Sequence, residues 1–162
     1  MENTILGLSV NARMLGLAII SGNQLVDYHI QMRQGVWSSE KKELILASLH
    51  SWCERYTIKN IALSVPYETQ LSSQTKELIE SLKEHFNENN ISFCIYSPKT
   101  LHAFYQEPKT KKEIVRELAE QYPELTYCYK KEMRNKHKYY IKLFDAVEVG
   151  KIHSQKLLRK RV

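Results

Sequence analysis

Cysteine is scarce in this 162-residue chain, and what there is does not form a pattern. Cys53, Cys94 and Cys128 are odd in number, far apart and without a C-x-x-C pair. Neither a disulfide framework nor a zinc site fits that spacing; a reducing cytoplasm and a packing role do. No apolar run approaches the roughly 20 residues of a membrane span, and the first residues lack the basic flank and apolar core of a signal peptide. A cytoplasmic protein without a membrane partner is therefore expected. Repeats and low-complexity tracts are also lacking. With 43% hydrophobic and 26% charged residues, the composition is that of an ordinary globular chain and not of a disordered one. Its length suits one domain with a full core.

Charge is present but lopsided. Residues 1–100 carry nine Lys/Arg against ten Asp/Glu, a balance of −1, while residues 101–162 carry fifteen against eight, a balance of +7. The excess makes a polyanion a reasonable partner for the C-terminal third.

Three apolar runs open the chain: Ile5 to Asn11, Met14 to Ile20 and Gln24 to Met32, with Ser21-Gly22-Asn23 as a tight-turn signal between the last two. They predict a three-stranded meander with the first strand central. Gln34-Gly35 breaks the pattern, Ser38 or Ser39 caps a helix, and Ile45, Leu49, Trp52, Cys53 and Tyr56 share one of its faces. Asn60 to Val65, stopped by Pro66, predicts a strand reached by a right-handed crossover and parallel to the first. That layout brings Ser64 beside Ser9, two polar strand ends on one sheet edge, where sites of open α/β sheets lie.

Ser72 or Ser73 then opens a helix with Leu78, Ile79, Leu82 and Phe86 on one face, and Ile91 to Tyr96 predicts a fifth strand. Ser97-Pro98 starts a short helix through about Tyr105. Ile114, Leu118 and Tyr122 mark another helix stopped by Pro123. The pattern weakens from Glu124 to about Lys138, and Tyr140, Ile141, Phe144, Val147 and Ile152 give a last helix. One domain over 1–155 with a basic tail over 156–162 is the expected organisation.

This order, in an α/β arrangement with a five-stranded mixed sheet, resembles the ribonuclease H-like fold. Three local matches resemble its RuvC-like Holliday-junction resolvase branch. Ile5-Leu6-Gly7-Leu8-Ser9-Val10-Asn11 is similar to that family's first-strand motif, hydrophobic-hydrophobic-G-hydrophobic-D-P-G. Tyr96-Ser97-Pro98 is similar to its Y-S-P, followed by a short helix and a Lys-bearing helix start, here Lys111-Lys112-Glu113. Asp145-Ala146 resembles the D-A dipeptide of its last helix, with the small Gly150 suitably placed.

The resemblance implies a homodimer and a two-metal centre in which about four carboxylates hold two Mg²⁺ ions. The residues depart from that centre. Ser9 stands where the family has aspartate and Ser64 where it has glutamate; of the aspartate pair on the last helix only Asp145 is matched, with Lys142 three residues before it. The chain is therefore expected to have no catalytic residue and no cofactor, its site reduced to a hydrogen-bonded Ser9–Ser64–Asp145 cluster. In the alternative, Asp145 with Glu148 and Glu68 holds one divalent ion in a divergent Mg²⁺-dependent endonuclease. The more economical view of both glutamates is that they are solvated. None of the six histidines is placed to act as a base for a serine.

From Tyr127 to Tyr140 basic residues alternate with tyrosines. Lys130, Lys131, Arg134, Lys136 and Lys138 suit phosphate contacts, and the tyrosines suit stacking on unpaired bases. A solvated face with tyrosines packed on the sheet explains the same residues. The sequence thus leads to a non-catalytic RuvC-like protein that binds branched or single-stranded DNA. A nuclease and a protein–protein module on the same scaffold stand as alternatives.

Overall fold

A computed structural model describes residues 3–11, 13–32, 35–134 and 139–160. Strands β1 (Thr4–Val10), β2 (Met14–Ser21) and β3 (Gln24–Met32) form the expected meander. They are followed by α1 (Ser39–Arg55), β4 (Asn60–Ser64), α2 (Ser73–Glu88) and β5 (Ser92–Tyr96). Helices α3 (Pro98–His102), α4 (Lys111–Gln121), α5 (Thr126–Arg134) and α6 (Ile141–Arg159) complete the chain. The sheet order is β3-β2-β1-β4-β5, with β4 and β5 parallel to the central β1.

Local chemistry explains the boundaries. Asn11 closes the first hairpin by accepting from the backbone N–H groups of Arg13 and Met14 at 2.8 and 2.7 Å. Gly22 supplies the left-handed φ of 61° at the second. Ser38, Ser72, Ser97 and Thr110 each accept a backbone N–H at the start of a helix, so the first of each candidate serine pair is the cap. The sequence reading missed α5, whose polar composition hides a buried face of only Cys128 and Glu132. Lys156 to Arg159 form the last turn of α6 and so are helical.

Strand alternation sorts the core into two layers. Leu6, Leu8 and Val10 face α1 and α2, packing with Ile45, Leu49, Leu78, Leu82 and Phe86. The opposite face of β1 carries Ile5, Gly7 and Ser9, and it is covered by α6. There a side chain has no room: a methyl on Gly7 would lie 2.1 Å from the Ala146 carbonyl oxygen, and one on Gly16 2.3 Å from that of Lys142. Gly150 answers Gly7 across the same contact. Helix and sheet therefore touch backbone to backbone, and this fixes which residues of α6 stand over the end of β1.

Farther along α6, His153 is buried. Its Nδ1 is hydrogen-bonded to Tyr96 Oη at 2.6 Å, and its Nε2 has no partner among the described residues. Burial, with Lys156 and Lys160 adding repulsion, lowers its pKa from 6.5 to about 4. Between those values the unfolded chain binds a proton that the native ring refuses, so stability rises with pH. Unfolding free energy is expected to be fully supported by this group above about pH 6.5 and to fall by a few kcal/mol as pH drops to about 4. Urea titrations across this range should show His153→Phe with a flatter profile; an unchanged slope would assign the acid sensitivity to other groups.

Candidate functional site

Parallel pairing of β1 with β4 sets Ser9 opposite Ser64, and pairing of β4 with β5 sets Ser64 opposite Tyr96. Both serines belong to the α6-facing side of the sheet, at the carboxyl ends of their strands. They form part of the wall of a cavity of about 550 Å³, closed by the starts of α4 and α6 and by the loop after β4. Asp145 and Glu148 of α6 enter the same cavity, as do Lys109, Lys111, Lys142 and His102.

The acidic groups are already engaged. Lys111 Nζ is hydrogen-bonded to Asp145 Oδ1 and lies 3.9 Å from Glu148 Oε1. Tyr105 Oη donates to Glu148 Oε2 at 2.6 Å, and burial, with the neighbouring carboxylate next, raises the phenol's pKa far above its ordinary value. Lys109 pairs with Glu117 at 2.6 Å at the outer wall. Lys142 is half-buried; burial lowers its pKa, opposed by the attraction of Asp145, which lies beyond ion-pair distance.

These positions correct two expectations. Glu148 is 4% exposed and hydrogen-bonded, not solvated. The Ser9–Ser64–Asp145 cluster shares a cavity but not hydrogen bonds: Asp145 is bound to Lys111, and neither serine hydroxyl has a hydrogen-bond partner among the described residues. Glu68 is exposed on a 3₁₀ turn, Glu68–Gln70, and lines an adjacent groove with Tyr67, Leu71 and Ile79. Among the described residues, no three His, Cys, Asp or Glu side chains converge as a metal site requires. The donor set does not fit a pair of Mg²⁺ ions, because hard cations need anionic oxygens. Here two positions carry neutral hydroxyls, and an ammonium stands between the remaining carboxylates.

Lys111, Tyr105 and His102 were not singled out from sequence as site residues. A signal was available for Lys111, which belongs to the Lys-bearing helix start Lys111-Lys112-Glu113 that resembles the resolvase branch. Tyr105 and His102 gave none, since their approach depends on the path of the chain after α3. Removing the Tyr105 hydroxyl leaves one oxygen of a buried carboxylate short of a donor. Tyr105→Phe is expected to cost about 1–3 kcal/mol of stability; denaturant melts with unchanged midpoints would show that Glu148 finds another donor.

The basic segment is placed apart from this cavity's inner wall. Lys130, Lys131 and Arg134 are exposed on α5, whose buried residues are Cys128 and Glu132. Lys131 Nζ lies 5.5 Å from the centre of the exposed Tyr127 ring. Tyr129 and Tyr140 pack against the core behind α5 and α6, and Glu132 accepts the Tyr140 N–H at 2.9 Å. Lys136 and Lys138 lie outside the described residues.

No family model and no curated protein matches the sequence. Solved structures do match the fold. Thermus thermophilus RuvC in complex with a Holliday junction substrate superposes with a TM-score of 0.74 at 13% identity, covering 98% of this chain and 96% of that one. A second T. thermophilus RuvC structure gives a TM-score of 0.72, also at 13% identity, covering 97% and 96%. Fowlpox virus resolvase in complex with Holliday junction DNA gives 0.61 at 16% identity, covering 96% and 99%. The chain thus has the ribonuclease H-like fold of Holliday-junction resolvases over almost its whole length.

Proposed function

We propose that this chain binds branched DNA on a resolvase-like scaffold without cleaving it, working in the cytoplasm as a homodimer. The observation that carries the non-catalytic half is the Lys111 ammonium held between Asp145 and Glu148, with neutral Ser9 and Ser64 at the strand ends. Phosphodiester hydrolysis by two metals needs cations where this chain has a lysine of its own. The binding half rests on the exposed basic face of α5, continued in sequence by Lys136 and Lys138, and on the fold shared with two resolvases solved on Holliday junctions. Lys130, Lys131 and Arg134 contact phosphates, and Tyr127 is available to stack on an unpaired base.

The test is incubation of the purified protein with a labelled four-way junction and a matching linear duplex, in Mg²⁺ or Mn²⁺, with binding and cleavage followed in the same tubes. Binding with junction preference and no cleavage is the expected result. Metal-dependent cleavage that disappears in Asp145→Asn would overturn it in favour of a nuclease. Absence of binding at low salt would leave α5 a solvated face and turn the search to protein partners.

A further inference from the structure

We infer that His50 and His85, which face each other between α1 and α2, form a site for one late first-row divalent cation of the Zn²⁺ class, held by the two imidazoles and water. Nothing in it depends on the DNA-binding reading. Helices α1 and α2 cover the Leu6, Leu8 and Val10 face of the sheet, and the cavity at the strand ends lies on the other face. Where the two helices meet, His50 Nδ1 stands 3.1 Å from His85 Nε2. Glu54 decides how the protons of this pair are placed. Its Oε1 lies 3.0 Å from His50 Nε2, one turn away on the same helix. A carboxylate only accepts, so His50 carries its proton on Nε2 and turns the bare lone pair of Nδ1 toward His85. Metal-ligating histidines are set up in this way, the far nitrogen donating to a carboxylate that fixes the tautomer and strengthens the ligand. His85 donates from Nε2 in the metal-free pair. Moving that proton to its own Nδ1 gives the site a second lone pair with no net proton release.

Distance and surroundings fit the ion as well. With Zn–N bonds of about 2.0–2.1 Å, two nitrogens on one ion lie about 2.8–3.4 Å apart, from a right-angled to a tetrahedral arrangement. The 3.1 Å of the pair falls inside that window, so small turns of the two rings admit the ion without moving a helix. His85 is held in place by the fully buried Phe86, against which it packs edge-on with ring centres 5.0 Å apart. It also belongs to the last turn of α2, at the negative end of that helix, which favours a cation. The His50 side chain is 33% exposed, so water reaches the remaining coordination positions. No third protein ligand converges there among the described residues. The site is therefore an exchangeable one, unlike a closed structural centre or a three-ligand catalytic one. Imidazole nitrogens suit Zn²⁺, Cu²⁺ or Ni²⁺, whereas Mg²⁺ takes oxygen. A bound ion ties α1 to α2 and stabilises the native chain more as its concentration rises.

The test is a titration of Zn²⁺ into the purified protein, followed by the imidazole resonances in ¹H–¹⁵N spectra and by the melting temperature, with Mg²⁺ as the comparison. Saturable shifts at His50 and His85, reaching one ion per chain, and a melting temperature that rises with Zn²⁺ are expected; Mg²⁺ should produce neither. His50→Gln and His85→Gln should each abolish both effects. Both side chains are partly exposed, so the metal-free variants should melt close to the parent. Glu54→Gln keeps both ligands and should weaken Zn²⁺ binding about tenfold, because the carboxylate that fixes the His50 tautomer is gone. Absence of saturable shifts in the parent overturns the proposal. So does Zn²⁺ binding that persists in both histidine variants, which would move the ion to the cysteines.

Discussion

Gly7→Ala is expected to destabilise the protein by about 3 kcal/mol or more. The added carbon would sit 2.1 Å from the Ala146 carbonyl oxygen and 3.0 Å from the Gly150 Cα, and both obstacles are backbone. A flexible side chain could rotate away; a helix held by Leu143, Phe144, Ala146, Val147 and Val149 in the core cannot shift without opening it. Gly16→Ala meets the Lys142 carbonyl at 2.3 Å and should behave alike. In a chain of this size each kcal/mol lowers the melting temperature by about 2–4 °C, so a drop of roughly 6–12 °C or more should be seen by circular dichroism. A Gly7→Ala protein that melts with the parent would mean that α6 stands farther from β1 than described, and the cavity geometry would have to be redrawn with it.

Lys130→Glu/Lys131→Glu is expected to weaken junction binding on the order of 100-fold near 0.1 M salt, and to lower the salt slope by about two. Both side chains are exposed on α5, and the residues that helix buries are Cys128 and Glu132. Their loss should therefore leave the fold intact, and melting curves serve as the control. Counterion release ties the affinity loss to the slope: two phosphates fewer are neutralised, so the penalty shrinks as salt rises. A double variant that binds as tightly as the parent would remove α5 from the interface and leave the DNA-binding reading without its charge.

Much of the architecture was legible because it depends on local pattern. Continuous apolar runs at Ile5, Met14 and Asn60, the Gly22 turn and the serine caps are short-range signals, and each marked its element within a residue or two. The Ser9–Ser64 register followed from one further rule, the right-handed crossover that lays β4 beside β1. Helix α5 was missed because a helix that buries only Cys128 and Glu132 has almost no apolar period to read.

The site divides along the same line. By itself the sequence determined the central place of β1 with β4 beside it, the neutral Ser9 and Ser64 at the strand ends, and the gathering of positive charge in the C-terminal third. Which side chains meet there was decided by the tertiary structure. Glu148 is buried because Gly7, Gly16 and Gly150 let α6 lie directly on the sheet, and because Tyr105 supplies a hydroxyl from a distant loop. Lys111 became the counter-ion of Asp145, and Lys142 was left without one among the described residues, through the packing of α4 against α6. Charge pairing depends on distances of a few ångströms between residues tens of positions apart, and no local pattern encodes them.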